Sequence, residues 1–228
     1  MTKQDQMILP RKDKEGAYYI SYSQITKFKK SKREYIRQYF FGEDTASAAL
    51  KRYGAFGHLI GEAFENNDFT PFEGEDRTFM EGVRKYDEFE RKVKLQMDGY
   101  HVLGFIDSNT TPTTGKGSYV KCILDYKTGD VDKKSPDYKS PDYNQLEIYA
   151  AALKQKYGKL PDMAHVILIG RDGNAFNGEE LTLNRRMAII ERSMDQELID
   201  KVLLDVQETA EEISNLYKAF LKLKGVKS

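Results

Sequence analysis

Apolar positions along the 228-residue chain change their period several times, and each change marks an element. Ile25, Phe28, Tyr35, Ile36 and Tyr39 recur at helical spacing. Ser21-Tyr22-Ser23-Gln24 places a glutamine three residues after a serine, the capping-box pattern. Together they predict a helix over about 21–41, after a loose polar arm over 1–17. A second helix is predicted over Ala46–Glu65. It carries Gly54, Gly57 and Gly61, which lower helix propensity and imply the close approach of another backbone or a ligand. Phe69–Gly74 reads as a loop and Arg77–Glu88 as an acidic helix. Three strand-like runs follow, Phe89–Met97, Tyr100–Ser108 and Ser118–Lys127, with Asp98-Gly99 as the hairpin turn between the first two. A loop over Asn109–Gly117 precedes the third. Gly129–Asp142 reads as an extended loop, because it holds a short tandem repeat, Ser135-Pro136-Asp137-Tyr138-Lys139 and Ser140-Pro141-Asp142-Tyr143-Asn144. Tyr143–Tyr157 is predicted helical and closed by Gly158, and Ala164–Ile169 is a buried strand. A turn over Arg171–Asn177, a short return strand over Glu179–Leu183 and a helical segment over 184–228, broken near Ser193, complete the chain. The order predicts one α/β domain over 1–228, with a mixed central β-sheet flanked by helices and a helical C-terminal segment.

Composition narrows the classes. With 39% hydrophobic and 32% charged residues, the chain can bury a core and keep a solvated surface. No run approaches the eighteen apolar residues of a membrane span, and the polar start does not read as a signal peptide. The single cysteine, Cys122, excludes an internal disulfide framework and a cysteine-held zinc or iron–sulfur site within one chain. The expectation is a cytoplasmic protein of a bacterial or phage-infected cell with no membrane partner. Net charge is zero, but it is segregated: residues 1–53 hold twelve Lys/Arg against six Asp/Glu, and residues 62–90 hold three against ten. Such a division suits a phosphate-facing patch beside an acidic, cation-attracting one, or two solvated surfaces.

Candidate chemistry centres on Asp125 and Lys127. Two positions apart on a strand, they project from one face, and charges at the end of an apolar run are costly unless they have a role. Asp107 ends the preceding strand with a further carboxylate. His58 and Glu62 share a helical face, as do Gln145 and Tyr149. Two acids and one lysine from neighbouring strands suit a divalent metal and an activated water, the apparatus for cutting a phosphodiester. Lys27, Lys30, Arg33 and Arg37 lie on the polar face of the first helix and suit phosphate contacts. Tyr138 and Tyr143, in the repeat, are placed to meet a nucleic-acid substrate.

The order of these motifs resembles the RecB-type branch of the PD-(D/E)xK nuclease superfamily. Gly54-Ala55-Phe56-Gly57-His58 with Glu62 is similar to its Gly-x-x-x-His-x-x-x-Glu helix. Gly104-Phe105-Ile106-Asp107 is similar to its Gly-x-(Ile/Val)-Asp strand end, Asp125-Tyr126-Lys127-Thr128-Gly129 to its Asp-Tyr-Lys-Thr-Gly signature, and Gln145 with Tyr149 to its Gln-x-x-x-Tyr helix. The likeness covers about 21–149. It implies a restriction-endonuclease-like core in which His58, Asp107, Asp125 and the Tyr126 carbonyl hold one or two Mg²⁺ or Mn²⁺ ions, with Glu62 acting directly or through water. It further implies that Lys127 accepts a proton, with a lowered pKa, or stabilises charge as an ammonium. Gln145 and Tyr149 would orient Lys127 or touch the DNA backbone, and the products would be a 5′-phosphate and a 3′-hydroxyl. The cysteines of relatives with an iron–sulfur cluster are missing, which points to a phage-type exonuclease branch without the cluster. The activity implied is a metal-dependent DNA exonuclease acting on double-strand ends in recombination or repair. A single-strand annealing protein is the implied partner, and a homo-oligomer the implied assembly. The Leu203, Val206, Ala210, Ile213 and Leu216 stripe, at helical spacing, suits either core packing or a subunit contact. The alternatives are an endonuclease of restriction or defence type and a catalytically inactive DNA-binding module of the same fold.

Overall fold

A computed structural model describes residues 6–115 and 117–225. The first five residues of the expected arm, Lys116 of the expected loop and the last three residues of the C-terminal segment lie outside the described residues. In chain order the elements are β1 (Tyr19–Ser21), α1 (Tyr22–Lys30), α2 (Lys32–Tyr39), α3 (Ala48–Glu65), α4 (Gly74–Gly82), β2 (Glu88–Gln96), β3 (His101–Asn109), β4 (Cys122–Gly129), α5 (Val131–Lys139), α6 (Gln145–Tyr157), β5 (Met163–Asp172), β6 (Thr182–Arg192) and α7 (Gln196–Leu223). Hydrogen-bonded strands follow the order β1-β3-β4-β5-β6, with β2 also paired to β3. The β1–β3 and β4–β5 pairs are parallel, while β3–β4 and β5–β6 are antiparallel. The sheet is mixed and the class α/β, as the sequence pattern predicts.

The chain divides into two compact units. One comprises 1–45, 93–104 and 196–228. In it the stretch expected as one helix is two, α1 and α2. Ser31 is extended, its N–H closes α1 on the Lys27 carbonyl, and its hydroxyl accepts from Glu34 N at 3.2 Å to start α2. A serine that caps both ways favours a break over a continuous helix. The arm is not loose over its described part: Leu9 is buried, Ile8 N donates to Ser214 Oγ at 3.0 Å, and Asp13 pairs with Lys94 at 2.8 Å. Val206, Ala210 and Ile213 of α7 are fully buried in this unit, so of the two readings of that stripe the structure takes core packing.

The other unit comprises 46–92 and 105–195. Its core joins Ile60, Ala63 and Phe64 of α3 with Met80, Leu124, Tyr126, Ile167 and Ile169. β5 is central and buried, paired over eight positions with β4, from Cys122↔Met163 to Gly129↔Gly170. Three expectations change here. The acidic helix lies earlier, over Gly74–Gly82, ending where Val83 turns extended and buries its side chain. The Gly129–Asp142 segment is not a loop but mostly α5, nucleated by Asp130, whose carboxylate accepts from the Asp132 and Lys133 amides. The return strand extends to Arg192, so 184–192, expected as helix, is strand. The run Met187-Ala188-Ile189-Ile190 is too short to specify a period, and pairing along β5 decides it.

Candidate active site

β4 sits between an antiparallel and a parallel neighbour, and its alternation sorts the site. Leu124 and Tyr126 face α3, where Tyr126 stacks on Phe64 with ring centroids 4.3 Å apart and donates its hydroxyl to the Arg84 carbonyl. Asp125 and Lys127 therefore project to the opposite side. There Asp125 is 0% exposed, its Oδ2 paired with the Lys127 ammonium and accepting from Tyr143 Oη at 2.9 Å. The β3–β4 register ends at Ser108↔Leu124, and one step further brings Asp107 against Asp125. Asp107 Oδ2 accepts from the Tyr126 amide at 2.7 Å, which fixes its carboxyl at the strand end.

Electrostatics show two crowded acids. Burial, then the charge of Asp125, pushes the Asp107 carboxyl up to about 7, against the pull of Lys127 and the Tyr126 amide. Burial works to lower the Lys127 pKa, but the charges of Asp125 and Asp107 outweigh it and the net shift is upward. The lowered lysine pKa considered from the sequence is not found; in this arrangement Lys127 is an ammonium. Asp125 Oδ1 is buried and has no hydrogen-bond partner among the described residues.

A cleft of about 450 Å³ opens beside these groups, lined among others by Gly57, His58, Glu65, Glu90, Asp107 and Lys127. His58 is in the cleft wall, but its side chain is 75% exposed and turned to Glu62, with Nε2 3.1 Å from Oε1. Among the described residues no three His, Cys, Asp or Glu side chains are arranged to hold a metal ion. His58 and Asp107 line one cleft, but Asp125 is not in that lining, so the expected convergence of His58 with Asp107 and Asp125 is not formed among the described residues. Gln145 and Tyr149 are buried and bonded to each other, Gln145 Nε2 donating to Tyr149 Oη at 2.9 Å. Gln145 Oε1 lies 3.4 Å from Tyr143 Oη. Both are thus enclosed and do not stand free to meet DNA.

Tyr143, expected to contact DNA, is buried and serves Asp125 instead. Tyr138 packs edge-on against its ring, centroids 5.1 Å apart. Lys27 and Lys30 are on α1 and Arg33 and Arg37 on α2, in the other unit. Lys30 and Arg33 are exposed. Lys27 is taken up by Gln38 and Thr45, and Arg37 by Glu34 and Glu43. Sequence reasoning missed Glu90 and Arg171 in the cleft. Glu90 has a positive φ of 47°, unusual for a residue with a side chain, and its carboxyl is pushed upward by burial and by Glu65. Nothing in the mixed polar run of β2 signals it.

No protein-family model and no curated protein matches the sequence. Among solved structures, a phage-related exonuclease from Haemophilus somnus overlays at 16% identity with a TM-score of 0.48, covering 84% of this chain and 81% of its own. An alkaline exonuclease, LHK-Exo, from Laribacter hongkongensis overlays at 14% identity and a TM-score of 0.46, covering 91% and 93%. LHK-Exo in complex with dAMP gives 13% identity, a TM-score of 0.45 and coverages of 90% and 93%. The chemistry of the site rests on its own residues.

Proposed function

We propose that this chain is a divalent-metal-dependent nuclease that hydrolyses DNA phosphodiester bonds, working as an exonuclease on double-strand ends. The observation that carries the reading is the set Asp107, Asp125 and Lys127 at adjoining strand ends, with two mutually repelling carboxylates and an unpartnered buried oxygen on Asp125. That donor set fits a hard cation. Mg²⁺ and Mn²⁺ are commonly held by one or two carboxylates together with substrate phosphates, without a full protein cage. Asp107 and Asp125 would hold it, with the Tyr126 carbonyl as a further oxygen. When bound, the ion neutralises phosphate charge and acidifies water. Asp125 is oriented by the Tyr143 hydroxyl. Lys127 places positive charge where the phosphate gains negative charge as water attacks phosphorus and the P–O3′ bond breaks, the leaving oxygen taking up a proton. The sequence resemblance adds the setting: phage-type recombination or repair, with a single-strand annealing protein as partner.

Incubating linear and closed-circular DNA with the chain in Mg²⁺, Mn²⁺ or EDTA tests this. The expected result is metal-dependent loss of linear DNA alone, with Mn²⁺ raising the unfolding temperature in the absence of DNA. Lys127→Ala should cut at least about 100-fold more slowly while still binding DNA in EDTA. Its unfolding midpoint should drop, because Asp125 loses a buried partner. Nicked circles would replace the exonuclease by an endonuclease. Inertness in every metal would leave a DNA-binding module.

A further inference from the structure

The cleft has a second cationic side chain that the chemistry above does not use. Arg171, one residue beyond the last β4–β5 pair, lies half-buried in the cleft wall, in the lining that also includes Asp107 and Lys127. Its guanidinium lies over the Tyr53 ring, 4.0 Å from the centroid, and its only hydrogen bond among the described residues is a long one of 3.4 Å to the Gly173 carbonyl. No carboxylate pairs with it there, so most of its five N–H donors are uncommitted. The Tyr53 platform is itself locked. Its hydroxyl donates to Asn174 Oδ1 at 3.1 Å and accepts from the Ala175 amide at 3.0 Å, tying α3 to the β5–β6 turn.

The α3 side of the cleft that Arg171 and Asp107 also line is bare. Gly54, Gly57 and Gly61 fall on one stripe of α3. A Cβ at Gly54 or Gly61 would meet nothing within 4 Å, and at Gly57 only Thr128 Oγ1 at 3.8 Å. No protein backbone crowds these glycines, so the space they keep open faces the cleft. A held, fork-shaped cation without an anion, across an open wall from a phosphate-cutting centre, has the chemistry of a phosphate clamp.

We infer that Arg171, supported by Tyr53, binds the non-bridging oxygens of a DNA backbone phosphate flanking the scissile one and so sets the register of the strand in the cleft. The inference rests on the nuclease reading for which phosphate is cut, but binding can be measured without cleavage.

The test uses a 5′-phosphorylated linear duplex with one uncharged methylphosphonate linkage, moved through the terminal linkages in turn. It is titrated against the full chain in EDTA by fluorescence anisotropy. The wild-type chain should lose about tenfold in affinity at one linkage, the worth of one charge-assisted hydrogen-bonded contact. Arg171→Ala should bind unmodified DNA about tenfold more weakly, lose nothing more at that linkage, and keep the wild-type response at the others. Arg171→Lys, which keeps the charge but not the fork, should fall between them. In Mn²⁺ the Arg171→Ala loss should appear in KM with kcat little changed. An Arg171→Ala profile that matches the wild type at every linkage, or a wild-type profile with no sensitive linkage, overturns the assignment. If the wild type shows the profile but cuts no DNA in any metal, the nuclease reading falls and the phosphate contact stands. If it cuts while Arg171→Ala retains the full profile, the contact alone falls.

Discussion

At the scale of single residues, the site depends on how the fully buried Asp125 carboxyl is held and aimed. Its Oδ2 has two partners, Lys127 and the Tyr143 hydroxyl. Tyr143→Phe removes one without changing packing volume, so folding stability should fall by about 1 kcal/mol, read from a urea unfolding midpoint. The Mn²⁺ concentration for half-maximal cleavage should rise about tenfold, since partners that orient a ligating carboxylate tune its affinity. Unaltered stability and metal dependence together would mean that the hydroxyl does not orient Asp125. The sequence named Asp107, Asp125 and Lys127 because a charge at the end of an apolar strand is visible in one dimension. Tyr143 could be read there only as part of a repeat, and its partner lies eighteen residues away. Spacing puts His58 with Glu62 on one helical face, and the structure keeps His58 paired with Glu62 and in the cleft that Asp107 also lines. Spacing alone does not say which sheet face the helix covers, which Phe64 and Tyr126 set by packing together.

At the scale of elements, the connection carrying Tyr143 is held by Arg192 at the end of β6. Its guanidinium pairs with Glu147 Oε1 on α6 at 2.8 Å and donates to the carbonyls of Tyr138, Ser140 and Tyr143. Both partners are buried, and three backbone acceptors depend on one side chain. Arg192→Met should therefore cost about 3–5 kcal/mol by leaving the Glu147 charge unpaired. Arg192→Met combined with Glu147→Leu should regain much of that loss, a coupling that separate unfolding curves of the three variants would measure. If the losses simply add, the pair is not a structural clamp. None of this is legible in the sequence, whose pattern predicts strand only over Glu179–Leu183 with helix from 184, and a loop over Gly129–Asp142. The strands β3, β4 and β5 were found because their apolar runs are long and bounded by Gly, Asp and Asn. α5 is not legible because the Ser135-Pro136 repeat unit argues against a helix, while the Asp130 cap and α5's packing on β5 and β6 override it.

At the scale of the whole molecule, titration links buried groups to global stability. His165 lies on β5, buried, opposite Glu191 in the β5–β6 register, and its Nδ1 has no partner among the described residues. Burial first, then the charge of Arg84, lowers its pKa from the ordinary 6.5, against a smaller opposing pull from Glu191. A folded-state value below the unfolded one means that the unfolded chain binds more protons below about pH 6.5. The contribution of His165 to stability is therefore complete above 6.5 and is lost as pH falls from there through the folded value. Glu90 acts in the opposite sense: its carboxyl is raised, so its contribution is present at low pH and lost as pH rises. Because the two slopes oppose, the total curve of stability against pH identifies neither group, but a difference does. His165→Gln removes one titration and leaves the carboxyls in place. Wild-type stability minus variant stability, from urea midpoints at a series of pH values between 5 and 8, should stay flat above 6.5 and decline below it. A difference that stays flat to pH 5, or rises as pH falls, would show that the imidazole is protonated as readily in the folded chain as in the unfolded one, and hence that β5 does not exclude its charge.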